Sequence, residues 1–279
     1  MYVAEIVRKR SGAPVLSRKD IDIIGENLVS DFNPDAMQTP QEIDIDLFVQ
    51  DYLGTDQDFQ YLSHCGVYLG MTVFNDTDRV PVYDPIQNRA EYISARANTI
   101  IIDRTLLEEN QEHRYRFTMG HEASHVFLHT PYFAYDPNQI TLMDLLGEGK
   151  EAAMIQCRVD TKKMNCEQQA VWTDKEWMEW QANALSSAIL MPKAMVHKLV
   201  RALRQKPGFS QKKEIQRCYI EADTVSQVFN VSFQAATIRL KELGIIRQEI
   251  CMTQQVRCFM RESFTYKDMA GFLRSPQNF

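Results

Sequence analysis

The feature that most restricts the possible folds of this chain is a largely apolar stretch that contains three of its six histidines. The stretch reads Phe117-Thr118-Met119-Gly120-His121-Glu122-Ala123-Ser124-His125-Val126-Phe127-Leu128-His129. His121 and His125 are four residues apart, so on a helix they share one face and can bind a single metal ion. The apolar flanks predict that the helix is buried, where an imidazole without a partner is costly. The stretch therefore predicts a buried helix that carries a metal site.

Glu122 follows the first of these histidines and completes the pattern H-E-x-x-H. A carboxylate in this position is a general base, which takes a proton from the attacking water and later delivers it to the leaving amine. The five-residue pattern alone is also compatible with a helix that carries two surface histidines. His129 is not expected to be a third ligand, because it lies about 12 Å from His121 along a straight helix. We predict instead that it lies near the helix end or beside a ligand.

A third protein ligand must then come from another segment, and a helix with an acidic residue is the usual source. A helix predicted over 174–191 carries two candidates, Glu176 and Glu179. Asn183 lies one turn after Glu179 and could accept the free ring N–H of a ligand histidine. Spacing alone leaves both glutamates open as ligands or as exposed charges, and Asn183 as an ordinary polar residue.

Composition narrows the class of protein. The net charge of -6 over 279 residues argues against a nucleic-acid coat protein. No apolar run approaches the ~20 residues of a membrane span, and no secretory signal is expected at the N-terminus. The six cysteines contain no C-x-x-C pair, so we expect ordinary reduced thiols, Cys157 and Cys166 included, in a cytoplasmic protein.

The pattern of apolar residues predicts an α+β fold for residues 1–192. A helix capped by Ser17 runs to about residue 31, and a second, capped by Thr39, ends at Gly54. Short β-favouring runs between residues 66 and 102 predict a small sheet of at least three strands, with a break at Gly70. Helices follow over 103–130, near 142–155, over 174–191 and over 193–205.

Residues 193–279 are predicted to be mostly helical, with a helix-turn-helix-like unit over 223–243. A helix that reads DNA presents polar or basic residues early, but here the second helix begins with Phe233, Gln234 and two alanines. Packing or partner recognition is therefore favoured over base reading, and direct DNA binding is the less favoured alternative. Basic residues also recur on one face of the helix over 193–205, which indicates a solvated face or a docking surface.

Taken together, these segments resemble the ImmA/IrrE family of metallopeptidases. The resemblance rests on residues 114–125 with Leu128-His129, on Glu179-Trp180-Gln181-Ala182-Asn183 through Leu190-Met191-Pro192, and on Val231-Ser232, Ala235-Ala236, Arg239-Leu240 and Leu243-Gly244. Against the family pattern, the spacing from His125 to Glu179 is long, so residues 131–173 are interpreted as an insertion.

The resemblance implies a zincin-like metallopeptidase domain over 1–192, followed by the helix-turn-helix-like region over 193–279. It implies Zn²⁺ held by His121, His125 and Glu179, with Glu122 as catalytic base. The implied activity is site-specific cleavage of a DNA-binding transcriptional repressor, itself of the helix-turn-helix kind, in a bacterium or mobile element. The alternative hypothesis is a non-catalytic helix-turn-helix regulator that retains the metal-binding fold. No membrane partner is expected.

Overall fold

The computed structural model describes residues 1–134, 154–158 and 172–250, and within 154–158 the backbone alone. Seven α-helices lie in these ranges. They are α1 (Arg18–Phe32), α2 (Ile45–Leu47), α3 (Glu112–Phe133), α4 (Asp174–Leu190), α5 (Lys193–Arg204), α6 (Glu214–Val228) and α7 (Phe233–Glu242). None of them is long and apolar enough to cross a membrane. Short 3-10 turns follow α1 and precede α3, and a π-helical segment, Phe48–Tyr52, extends α2.

Six strands form two small sheets. The strands are β1 (Asp56–Gln60), β2 (Tyr68–Val73), β3 (Thr77–Asp84), β4 (Arg89–Ala95), β5 (Thr99–Asp103) and β6 (Met154–Arg158). The larger sheet has the order β1-β5-β2-β6, in which β1 and β5 are parallel and the other pairs are antiparallel. β3 and β4 form a separate hairpin. The predicted α+β class is therefore confirmed.

Helix α4 lies at the centre of the helical layer because small residues let its neighbours approach closely. A Cβ added at Gly25 on α1 would lie 2.7 Å from the Cβ of Ala188, and one at Gly120 on α3 would lie 2.7 Å from Oγ of Ser186. Most side chains of α4 from Gln181 to its end are accordingly buried. The small residues of α4 therefore allow α1 and α3 to pack closely on its two sides.

One buried apolar cluster includes side chains from both sides of residue 192, Leu28 and Leu240 among them. Arg239 on α7 is also buried, with 1% of its surface exposed. Its guanidinium lies 2.7 Å from the carboxylate of Asp22 on α1, and its Nε donates to the carbonyl of Met191. The C-terminal helices thus pack directly on the helices that carry the site, while the predicted boundary between residues 192 and 193 stays a prediction.

Several sequence predictions of local structure are correct. Ser17 caps α1 in a capping box with Asp20, and the predicted helix over 174–191 is α4, capped by Thr173. The helix that was expected to stop at Gly54 does so, and Gly54 has a φ of 64°. These signals depend only on residues that are close in sequence, so they can be identified before the tertiary contacts are known.

Other predictions are wrong. The helix predicted from Thr39 begins only at Ile45, with Asp44 as its cap, because the carbonyl of Ile43 instead accepts a hydrogen bond from Arg116. The two runs expected on either side of Gly70 form the single strand β2. Strand β1 was not predicted, and β3 and β4 lie in the region of the predicted sheet of at least three strands but were not identified individually. Of the helical piece predicted near 142–155, the last two residues belong to β6 and the rest lies outside the described residues.

Candidate metal centre

Helices α3 and α4 bring three potential ligands together. Nε2 of His121 lies 3.0 Å from Nε2 of His125. The carboxylate oxygens of Glu179 lie 3.3 Å from the first nitrogen and 3.5 Å from the second. Both histidines are buried, whereas the Glu179 side chain keeps 32% of its surface exposed. One ligand atom from each residue falls within 4.8 Å of the others, so the group can hold a metal ion.

The hydrogen bonds behind His121 define which of its nitrogens faces this group. Its Nδ1 lies 3.1 Å from Oδ1 of Asn183, one turn after Glu179 on α4. An amide oxygen can only accept, so Nδ1 of His121 carries the hydrogen and Nε2 keeps a free electron pair. Asn183 therefore has the position that the sequence suggested for it, and the ligand role stays a prediction.

A longer chain of hydrogen bonds defines the hydrogen position on His125. Nε2 of Gln181 donates to the carbonyl of Pro14 at 2.9 Å, so its Oε1 faces His129. Nε2 of His129 lies 3.0 Å from that oxygen and must donate to it, which leaves Nδ1 of His129 as an acceptor. Nδ1 of His125, 2.9 Å away, then carries the hydrogen. His129 lies beside the predicted ligand rather than in the ligand group.

The arrangement fits a divalent cation. The hydrogen bonds above leave His121 and His125 with electron pairs on two nitrogens that lie 3.0 Å apart. Burial lowers the pKa of His125 and lowers that of His129 well below its ordinary value, which favours the neutral form of both imidazoles. Two imidazole nitrogens and one carboxylate are a common donor set for zinc.

Glu179 supplies the negative charge of the group. Burial by itself raises the pKa of Glu179, but the neighbouring His121 and His125 outweigh this effect and hold the pKa well below its usual range. The carboxylate is therefore ionised at neutral pH. Glu176, the other candidate, instead accepts from the backbone and hydroxyl of Thr173 as part of the helix cap. The structure thus brings Glu179, and not Glu176, to the two histidines.

Glu122 lies in a fully buried position against strand β2. The hydroxyl of Thr72 donates to its Oε2 at 2.6 Å, while its buried Oε1 has no hydrogen-bond partner among the described residues. Burial raises the pKa of Glu122 to about 7, although His121 and the Thr72 hydroxyl oppose the shift. A carboxylate with this pKa can both accept and release a proton near neutral pH.

The close contact between β2 and Glu122 requires a glycine. A Cβ at Gly70 would lie 2.6 Å from Oε1 of Glu122 and 2.9 Å from Cγ2 of Thr118. The partnerless oxygen thus faces the backbone of β2 with no side chain between them. Sequence reasoning took Gly70 only as a break between strands, although an isolated glycine inside a strand also signals close approach of another group.

The family comparison adds independent support. The family model of the IrrE N-terminal-like domain, a peptidase family, matches residues 151–241. This match is consistent with the ImmA/IrrE family. It confirms the resemblance seen in the sequence and supports a peptidase with a protein substrate. The matched range contains Glu179 and Asn183, whereas His121 and His125 precede it. A comparison with curated proteins found no match.

Three residues around the centre were missed by sequence reasoning. Thr72 and Gly70 contact Glu122 from a strand some 50 positions earlier, and the role of Gln181 depends on the carbonyl of Pro14. Only the glycine carried a sequence signal. The predicted insertion over 131–173, with Cys166 and the side chain of Cys157, falls largely outside the described residues.

Proposed function

We propose that this chain is a zinc-dependent endopeptidase with a zincin-like catalytic domain, in which His121, His125 and Glu179 bind the ion and Glu122 is the general base. The observation that carries the proposal is the placement of four groups in one site. Three are metal donors that converge within 4.8 Å, and the fourth is a carboxylate whose buried oxygen has no partner in the described part of the chain.

The zinc ion, when bound, supplies a Lewis acid that polarises the scissile carbonyl and makes water more acidic. The protein's own groups then move the protons. Thr72 holds Oε2 of Glu122 with its hydroxyl, so Oε1 is the atom that takes the proton from the attacking water. With a pKa of about 7, the same carboxyl group can release that proton to the leaving amine.

The proposed substrate is a DNA-binding transcriptional repressor of the helix-turn-helix kind, which meets the enzyme in a bacterial cytoplasm. The support is the resemblance of the chain to a family with this role and the peptidase match over 151–241. Within a cell, a peptidase of this kind needs selectivity, so recognition outside the site of hydrolysis is part of the proposal. The scissile segment itself is expected to be extended or locally unfolded.

The basic face of α5 is a weaker docking surface than its sequence suggests. Arg204 forms an ion pair with the buried carboxylate of Glu221 at 2.6 Å, so its charge is already neutralised within the chain. Burial and the charges of Lys193 and Arg201 also lower the pKa of His197, which favours its neutral form. A charge reversal at Arg204 would therefore disturb the fold, and Arg201 alone is the cleaner position to change.

The alternative function is a non-catalytic regulator that binds DNA through α6 and α7. Its basic residues are poorly placed for that role. Arg239 is buried against Asp22, and Nζ of Lys241 donates to the carbonyl of Gln248. A regulator also has no need of a buried carboxylate between two proposed metal ligands, with one oxygen that lacks a partner among the described residues. These observations favour the peptidase, and the alternative remains testable by the same experiment.

The test compares Glu122→Gln with a matched control, Glu109→Gln, which changes an exposed glutamate before α3. We expect Glu122→Gln to keep about the wild-type zinc content but to lose about 10²- to 10⁴-fold in cleavage rate, because only the base is removed. The control should change neither property. The substrate is the repressor encoded beside this gene, and zinc content is measured by atomic absorption.

Cleavage at the wild-type rate by Glu122→Gln would refute the proposed mechanism. A wild-type chain that binds one zinc ion, cleaves neither the repressor nor an unfolded protein such as carboxymethylated casein, and binds duplex DNA would favour the regulator.

A further inference from the structure

A cleft of about 670 Å³ lies between helices α3, α4 and α7, beside the metal centre. This volume is within the range of about 300–1,000 Å³ typical of ligand sites. Its walls are mainly apolar and include Phe117 from α3, Trp180 from α4 and Ile238 from α7. Water that covers such concave apolar surface is released when an apolar group replaces it. The cleft therefore favours a ligand with a large apolar group.

Ile238 is the clearest sign that the α7 wall lacks a partner in this chain. It keeps 48% of its surface exposed, although the next residue on the helix, Arg239, is fully buried. Removal of exposed isoleucine surface from water is favourable, so an occupant that covers Ile238 gains affinity. The exposure lies inside a cleft rather than on a convex surface, which makes a side-chain-sized occupant the natural fit.

The charges at the opening select an acidic occupant. Arg18 lines the cleft but is paired with Glu242 at 2.8 Å, and its guanidinium lies 5.1 Å from the centre of the Trp180 ring. Arg114 also lines the cleft, is exposed, and has no ion pair with any residue that the structure describes. One positive charge at the opening is thus available for a carboxylate.

The cleft adjoins the metal centre through Asn183. Asn183 lines it and also contacts Nδ1 of His121, while Trp180 directly follows Glu179 on α4. Phe117 lies one turn before His121 on α3. A chain segment seated in the cleft therefore has its neighbouring residues close to the site where hydrolysis is proposed.

We propose that this cleft binds a large apolar side chain of the protein substrate, with an adjacent carboxylate of the same segment paired to Arg114. The inference rests on the proposed function and deepens it, because it names a recognition element of the substrate. A duplex nucleic acid fits less well, since the walls are apolar and the cleft offers a single unpaired arginine.

The experiment measures peptide binding to the full chain after removal of metal by chelation, so that it does not depend on catalysis. The probes are three peptides, acetyl-Ala-Leu-Glu-Ala-amide and its analogues with Ser in place of Leu or Gln in place of Glu. Binding is followed by tryptophan fluorescence, because Trp180 lines the cleft. We expect the Leu-Glu peptide to bind at least tenfold more tightly than the Ser analogue.

Two substitutions test the walls of the cleft, and a third is the matched control. Ile238→Glu should weaken binding of the Leu-Glu peptide at least tenfold. Ile238→Ala should weaken this binding less and leave the fold undisturbed. Arg114→Ala should remove the preference for Glu over Gln. Ile86→Glu changes another exposed isoleucine, 93% accessible in the β3–β4 turn, and should have no effect.

Equal binding of the Leu and Ser peptides, or unchanged binding by both Ile238 variants, would overturn the proposal. Competition by a short DNA duplex at physiological salt would also overturn it, because it would assign the surface to nucleic acid. If peptide binding follows the expected pattern but no protein is cleaved by the zinc-loaded chain, the endopeptidase function fails and the cleft assignment stands.

Discussion

Substitution of Gln181 by leucine tests the hydrogen-bond chain that reaches His125 from the N-terminal segment. Leucine removes the acceptor for Nε2–H of His129 and the donor to the carbonyl of Pro14. His129 is then free to move its hydrogen to Nδ1, where it faces His125. His125 responds by carrying its own hydrogen on Nε2, which is the nitrogen required for a metal.

The expected loss in zinc affinity follows from this change of tautomer. Partners that orient a metal-binding histidine are worth about 10- to 100-fold in affinity, or about 1.4 to 2.8 kcal/mol. The free energy of unfolding of the metal-free protein should also fall by about 1–3 kcal/mol, because a buried donor loses its acceptor. Gln181 is 1% exposed, so water cannot replace the lost partner without a rearrangement.

The assay is competition for zinc with a chelating dye at neutral pH, together with urea unfolding of the metal-free chain. Gln181→Glu is the matched control. Its carboxylate still accepts from His129 but cannot donate to Pro14, so zinc affinity should stay near the wild-type value while stability falls. Wild-type zinc affinity in Gln181→Leu would refute the reasoning. An equal loss in both variants would show that packing, and not the direction of the hydrogen bonds, controls the affinity.

Two further predictions concern the residues around the centre. Glu179→Ala should lower zinc affinity by at least about tenfold, since a ligand is lost, whereas Glu176→Ala should change it little; zinc content after dialysis distinguishes them, and the reverse order would invalidate the proposed ligand set. Gly70→Ala should retain zinc but lose at least about tenfold in cleavage, because its Cβ would lie 2.6 Å from Oε1 of Glu122, the proposed base. Cleavage and zinc content measured on the same preparation check this, and wild-type cleavage would contradict it.

The sequence by itself determined the parts of the site that depend on local spacing. His121 and His125 share a helix face because they are four residues apart, and Ser17 and Thr173 cap their helices through hydrogen bonds within three residues. The same logic placed Asn183 one turn after Glu179. Such relations need only a helix, so the helical period predicts them before any tertiary contact is known.

Local spacing could not decide which of the two candidate glutamates faces the histidines. Glu176 and Glu179 lie on one helix, and periodicity does not tell which of them faces α3. The resemblance to a family indicated Glu179, and the packing of α4 against α3 brings that residue to the histidines. The small residues Gly120 and Ser186 set that packing, because they let the two helix backbones come close.

Only the tertiary structure decided what surrounds the proposed base and what supports His125. Thr72 contacts Glu122 across 50 residues of sequence, and Gln181 reaches Pro14 across 167. The cleft likewise needs three helices that are distant in sequence. Contacts of this kind produce no periodic pattern in the sequence, because each of the two residues fits its own helix or strand equally well without the other. They arise only when the sheet and helices pack, and they determine which oxygen of Glu122 lacks a partner among the described residues and which nitrogens of the histidines carry the hydrogen.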